Sequence, residues 1–312
     1  MAWVALACPQ CSAPLPRVAL WRSVKCGSCG ALIMREDQLV RRDTFRQALR
    51  RAQDGLDPGR DVRCGGERYH LLQHLGSGGH SEVHLARRLG TLPFLATLKL
   101  SGTPAGAAKF AREAENLRLL HALDGGTGLY ASLRLPEVIA CGPVPDGAGR
   151  HALVFRHPSG FWGSLAALNA RFPQGIDPRH SVWIWRRMLD VLHFVHTLGW
   201  SHGSVSPDHA LVHPKDHGVQ LIGWAEARQQ ASPSEKAADL MRSARVIQVL
   251  LCGATAPDTL PPQVPDVLGS LVARAAQDDG FCLAQGASGL DTRLLAAARE
   301  AFGPPTFVPL VL

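Results

Sequence analysis

Along this chain the spacing of hydrophobic positions changes several times, and each change marks an element. In "PFLATLKLSG" Phe94, Ala96, Leu98 and Leu100 alternate with Leu95, Thr97 and Lys99, the period-two pattern of a strand with two unlike faces. The stretch "AAKFAREAENLRLLHAL" then switches to helical spacing, with Phe110, Ala114, Leu117 and Leu120 on one stripe,. Glu113 stands three after Phe110 and four before Leu117, on that inward stripe, whereas Glu115 lies off it. An inward carboxylate needs a cation, and Lys99 on the preceding strand is the nearest candidate. Upstream, "ERYHLLQHLGSGGHSEVHLARR" reads as strand, turn, strand, with Gly76, Gly78 and Gly79 in the turn between Leu75 and Val83. A hairpin with glycines is by itself a weak signal for phosphate binding.

The length of 312 residues and a hydrophobic fraction of 46% allow one large domain plus a small one. No apolar run approaches the roughly 18 residues of a membrane span. The opening "MAWVALAC" lacks the basic start and the length of an export signal. The expectation is a cytoplasmic protein without a membrane segment. Net charge is +7, with most of the excess before residue 64 in runs such as "RRDTFRQALRR". An acidic partner, nucleic acid included, would suit that charge. The plainer reading is the solvated face of a basic helical linker, with Phe45, Ala48, Leu49 and Ala52 on its apolar side.

Four of the eight cysteines fall as "CPQC" (Cys8, Cys11) and "CGSC" (Cys26, Cys29), fourteen residues apart. Paired CxxC turns let four thiolates converge on one ion, which is the pattern of a structural zinc ribbon over residues 1–35. Two disulfides would require an oxidising compartment. With all four positions filled by Cys the site is closed to substrate, and zinc should supply most of the folding free energy of so short a unit. Cys64, Cys141, Cys252 and Cys282 are scattered and read as ordinary core or surface thiols.

From about residue 67 to residue 300 the chain resembles a protein kinase catalytic domain. The glycine-rich loop of that family is matched by "LGSGGHSEV", its strand lysine by Lys99 and its helix glutamate by Glu113,. "HALVFRHPSG" resembles the last small-lobe strand and the hinge, with Phe155 as gatekeeper and Arg156 to Pro158 as hinge. "SVWIWRRMLDVLHFVHTLGWSHGSVSP" resembles the long helix entering the catalytic loop, and Asp239 the aspartate that anchors that loop. The resemblance implies an α+β, two-lobed protein kinase-like fold, with an antiparallel β small lobe over residues 67–155 and a helical large lobe over residues 159–312. A linker over residues 36–66, helical to about residue 56, would join it to the zinc ribbon.

The chemical positions depart from the family. Where active members carry a base, a lysine and a magnesium-binding asparagine, this chain has Ser204, Ser206 and His209, and the magnesium-binding aspartate is replaced by Gly223,. Losing a general base costs on the order of 10² to 10⁴ in rate, and losing both metal-holding side chains removes the charge neutralisation on which phosphoryl transfer depends. Gly203 stands where the family has the arginine of its phosphorylation switch. The stretch between Gly223 and Asp239 is too short for a peptide-docking platform. Asp208 and Glu226 lie near the lost positions without matching them. His209, His213 and His217 span a strand and hairpin, where their side chains would not converge on a metal.

What survives faces a nucleotide: Leu75, Gly76, Gly78 and Val83 above, Leu211 below, Lys99 with Glu113 at the phosphates, and Thr97 crowding the ring where the family has Ala. ATP, held weakly and without magnesium, is the ligand this leaves room for. The resemblance implies a catalytically inactive bacterial-type signalling scaffold, with von Willebrand factor A-type or phosphatase proteins as partners. The alternatives are an active kinase or nucleotidyl transferase with unusual residues, and a zinc-ribbon adaptor for nucleic acid or an acidic protein. The purified chain is expected to carry one zinc per molecule by elemental analysis, and Cys26→Ser to lose it.

Overall fold

The structure, a computed structural model, describes residues 3–4, 23–25, 32–34, 40–41, 58–79, 81–90, 92–123, 134–215, 217–254 and 260–312. It separates into two units, Met1–Asp61 and Val62–Leu312. In the first, β1 (Trp3–Val4) pairs antiparallel with β4 (Val40–Arg41), and β2 (Ser23–Lys25) pairs with β3 (Leu32–Met34). The register Trp3 to Arg41 makes residues 40–41 extended, so the helix expected from residue 36 does not include them, and pairing in this unit continues beyond residue 35. Cys26 and Cys29 fall in sequence between β2 and β3. All four candidate zinc ligands, and the apolar side of the expected linker helix, lie outside the described residues.

The second unit opens with a six-stranded sheet built from β5 (Asp61–Cys64), β6 (Glu67–Gly78), β7 (Ser81–Arg88), β8 (Leu95–Ser101), β9 (Val138–Pro143) and β10 (His151–Arg156), ordered β5-β6-β7-β8-β10-β9. Its first strand lies inside the stretch expected to be linker. Val62 and Cys64 are buried among Tyr69, Ala86 and Ala152, and the Cys64 thiol donates to the Ala152 carbonyl at 3.8 Å. Alternation too brief to read in "DVRC" is enough to cover one end of the sheet. The glycine hairpin also differs from the sequence expectation. Gly76 pairs with Val83 and Gly78 with Ser81, so both glycines belong to β6 and the turn comes later than the sequence indicated. Bulges at Leu71/Gln73 and His74/Gly76 bend this strand,.

Period-two patterning gives the sheet its two faces. Ala96, Leu98 and Leu100 join Ala152 and Val154 in one cluster, while Leu153 and Phe155 point to the other side and pack with α1 (Pro104–Leu123) and the large-lobe helices. Phe110, Ala114, Leu117 and Leu120 of α1 are buried as the helical spacing predicted. The Thr103 hydroxyl accepts from the Gly106 amide at 3.1 Å beside Pro104, which satisfies a first-turn donor.

The large lobe comprises β11 (Gly163–Ser164), α2 (Leu165–Arg171), α3 (Pro178–Thr197), β12 (Ala210–His213), β13 (Gly218–Leu221), α4 (Pro233–Cys252), α5 (Asp266–Gln277) and α6 (Asp279–Phe302). Asp177 caps α3 through the Arg179 amide at 2.9 Å, and Ser232 with Glu235 forms a capping box at the start of α4,. The two long helices meet at a buried polar contact, where the Trp185 indole donates to Ser243 Oγ at 3.0 Å and that hydroxyl donates to the Leu240 carbonyl at 2.7 Å. Among the described residues no helix is long and apolar enough to cross a membrane. Cys64, Cys252 and Cys282 are buried, and burial above all pushes the Cys64 and Cys282 thiols up to about 11. Ser243→Ala leaves the Trp185 N–H without a partner and is expected to cost about 1–3 kcal/mol, read as a lower urea midpoint with an unchanged m-value.

Candidate functional site

Lys99 and Glu113 meet as the sequence indicated. The Lys99 ammonium lies 2.9 and 2.8 Å from the two carboxylate oxygens of Glu113, whose side chain is only 4% exposed. The Phe155 ring stands 5.3 Å from the same nitrogen. Inside the cleft this pair leaves neither charge uncompensated. One turn along α1, Asn116 donates from Nδ2 to the carbonyls of Trp224 at 2.9 Å and Ala227 at 3.2 Å. That bond ties the helix carrying Glu113 to the segment after β13. Sequence reading passed over Asn116; its spacing of three from Glu113, on the same helix face, was the available signal.

The other residues expected to face a nucleotide are less regularly placed. Leu75 is 46% exposed, Gly76 lies across from Val83 on the hairpin, and Leu211 stands half-buried on β12 opposite Gln220. At the hinge the Arg156 amide donates to the Glu137 carbonyl and the His157 amide to the Leu95 carbonyl, both at 3.0 Å. Pro158 has no amide proton. A purine edge, which presents acceptors as well as a donor, therefore finds no free backbone N–H from Arg156 to Pro158. Thr97 is held sideways, its hydroxyl 2.9 Å from Nδ1 of His157, and burial lowers the pKa of that imidazole.

The loop below is held from α4. Asp239 is fully buried and accepts from the His202 amide at 2.7 Å and the Gly203 amide at 2.9 Å, with His196 Nε2 at 3.2 Å. Burial alone would raise its pKa; the His196 hydrogen bond and the His202 amide instead hold it below the ordinary carboxylate value,. His202 is also fully buried. Its Nε2 lies 3.1 Å from the Ile222 carbonyl and its Nδ1 accepts from the Ser204 amide at 3.2 Å. That pairing requires the neutral tautomer protonated on Nε2, and burial above all lowers its pKa to about 4. Gly203 has φ +78°, and a Cβ there would lie 2.4 Å from the Glu226 carbonyl oxygen. The arginine that the family places here has no room.

Ser204, His209 and Gly223 form one packed group. His209 Nδ1 lies 2.7 Å from the Ser204 carbonyl and 3.0 Å from the Ser204 hydroxyl. A carbonyl only accepts, so Nδ1 carries the proton and cannot take one from the serine. This rules out an activated serine nucleophile in this arrangement. The imidazole rests against Gly223, whose φ is +81° and whose Cβ, if present, would meet the ring at 2.8 Å. The residues where active kinases hold magnesium are thus an imidazole and a bare glycine in contact, a set that does not fit a divalent cation,. Among the described residues no three His, Cys, Asp or Glu side chains group as a metal site.

The other candidates are elsewhere. Ser206 precedes the short helix Pro207–His209 and makes no side-chain capping bond. Asp208 is exposed, and Glu226, also exposed, lies 3.8 Å from Lys109. His213 packs edge-on to Phe161 and His217 stacks on Trp183, so the three histidines engage separate partners. Between Gly223 and α4 there is one short helix, Trp224–Glu226, and a bridge from Ser201 to Arg228.

This two-lobed arrangement is the protein kinase fold. Two crystal structures of the Mycobacterium tuberculosis PknI kinase domain, a single and a double mutant, superpose with TM-scores of 0.55 and 0.54 at 21% and 22% identity, each covering 79% of this chain and 100% of the PknI chain. No family model and no curated protein matches the sequence. The likeness is one of fold.

The pKa of His202 gives a pH dependence with a definite sign. Between 6.5 and about 4 the unfolded chain binds a proton that the folded loop excludes, so its contribution to stability is complete above pH 6.5 and is lost as pH falls towards 4. A drop of this size corresponds to about 3 kcal/mol. His202→Gln is expected to be less stable than wild type at pH 7.5, with the gap narrowing by pH 4.5 in urea melts at each pH.

Proposed function

We propose that this chain is a pseudokinase, a kinase fold that acts by binding and not by phosphoryl transfer. The observation that carries the reading is the contact of His209 with Gly223, which fills the magnesium side of the cleft with an imidazole and leaves no carboxylate there. Ser204, at the base position, faces a ring nitrogen that is already protonated, and it is itself no base near neutral pH.

The Lys99–Glu113 pair supports retention of a phosphate-facing cation. The occupied hinge amides support weak adenine recognition. ATP would then bind loosely and independently of magnesium, with Leu75, Gly76, Gly78, Val83 and Leu211 around it. Cys8, Cys11, Cys26 and Cys29 would hold a structural zinc ion in the front unit. The basic front end and the scaffold reading suit a cytoplasmic signalling complex with von Willebrand factor A-type or phosphatase proteins as partners.

The test is transfer of labelled phosphate from ATP, with magnesium or manganese, to the chain itself and to a generic protein substrate. Incorporation is expected not to exceed that of Lys99→Ala. Ser204→Asp combined with Gly223→Asp is expected to stay inactive, because position 223 has a left-handed backbone and abuts the His209 ring. Turnover in the wild type that Lys99→Ala abolishes would contradict the proposal.

A further inference from the structure

A second cleft, separate in its residues from the nucleotide site, lies between α3 and α6 and is closed on one side by the segment after α6. Its volume is about 770 Å³, the size of a site that encloses an organic molecule. Val182 and Trp183 of α3, Leu295, Ala298 and Phe302 of α6, and Val308 beyond it give it an apolar lining.

This lining is braced by contacts within the protein. The Trp183 indole stacks on His217 at 4.3 Å with 4° between the planes, and His217 stacks on Phe307 at 4.2 Å and 15°. Trp183 Nε1 donates to His180 Nδ1 at 3.2 Å. Arg187 Nε donates to the His217 carbonyl at 3.1 Å. A ligand would therefore find much of the wall already ordered, which lowers the entropy cost of binding.

Charge selects the kind of ligand. The described lining contains three arginines, Arg179, Arg186 and Arg299, against one acid, Glu300. Arg179 is paired with Asp177 and Arg186 with Asp291. Arg299 has no acidic partner among the described residues. A cation would be repelled, and a wholly apolar molecule would gain nothing from the guanidinium of Arg299, which is exposed at the rim. A carboxylate on an aliphatic chain satisfies both the fork of Arg299 and the apolar walls.

We propose that this cleft binds a free aliphatic monocarboxylate, its chain between α3 and α6 and its head at Arg299. Decanoate titrated into the full chain by calorimetry is expected to bind at one site per chain, with decylammonium weaker by at least about tenfold. Arg299→Glu is expected to weaken decanoate by about tenfold and Arg299→Lys to stay within about threefold of wild type. Ala298→Trp should fill the cleft and abolish binding. Should that variant not fold, Leu295→Trp, at a position 39% exposed, fills the same space from the rim. Equal binding of decanoate and decylammonium, binding that survives the filled cleft, or no binding at millimolar decanoate would overturn the assignment.

Discussion

The buried carboxylate of Asp239 organises the centre of this protein. It has no exposed surface, yet it receives two consecutive backbone amides, His202 and Gly203, and a side-chain contact from His196. A charge so placed is tolerated only while all its partners are present, and removing one partner of such a group typically costs about 3–5 kcal/mol. That constraint fixes where the chain leaving α3 turns and hence where Ser204 begins. None of it depends on phosphoryl chemistry. The shape of this kinase-like loop is therefore set by hydrogen bonds to Asp239.

Around that anchor the remaining residues have adjusted to one another. Gly203 allows the loop to pass against the Glu226 carbonyl, and Gly223 allows the His209 ring to lie where a side chain would otherwise project. His209 in turn is pinned by the Ser204 backbone. The site is a repacked surface with its own hydrogen bonds, joined through Asn116 to the helix that still presents Glu113 to Lys99.

Much of this was legible in the sequence, because it rests on short-range periodicity. The alternation around Lys99 and the stripe containing Glu113 follow directly from strand and helix geometry, and the structure brings the two together. The anchoring role of Asp239 came from resemblance in order along the chain. Other features were hidden. Asp61–Cys64 carries too few residues to reveal a period, and the pairing of Trp3 with Arg41 joins positions that no local pattern connects. Gly76 and Gly78 looked like turn residues by composition, but tertiary pairing with β7 drew them into the strand. The packing of His209 on Gly223 and the occupied hinge amides depend on three-dimensional approach, which spacing along the chain does not encode.

The central claim is that the cleft has lost its metal side while keeping its lysine. A ligand that binds only the folded state raises the melting midpoint in proportion to its affinity. Thermal melts in millimolar ATP, with magnesium and with chelator, separate the two halves of that claim in one measurement. The account predicts a small rise in midpoint that is the same in both conditions. A rise that appears only with magnesium would show that the cleft still assembles a metal–nucleotide complex, and would contradict it.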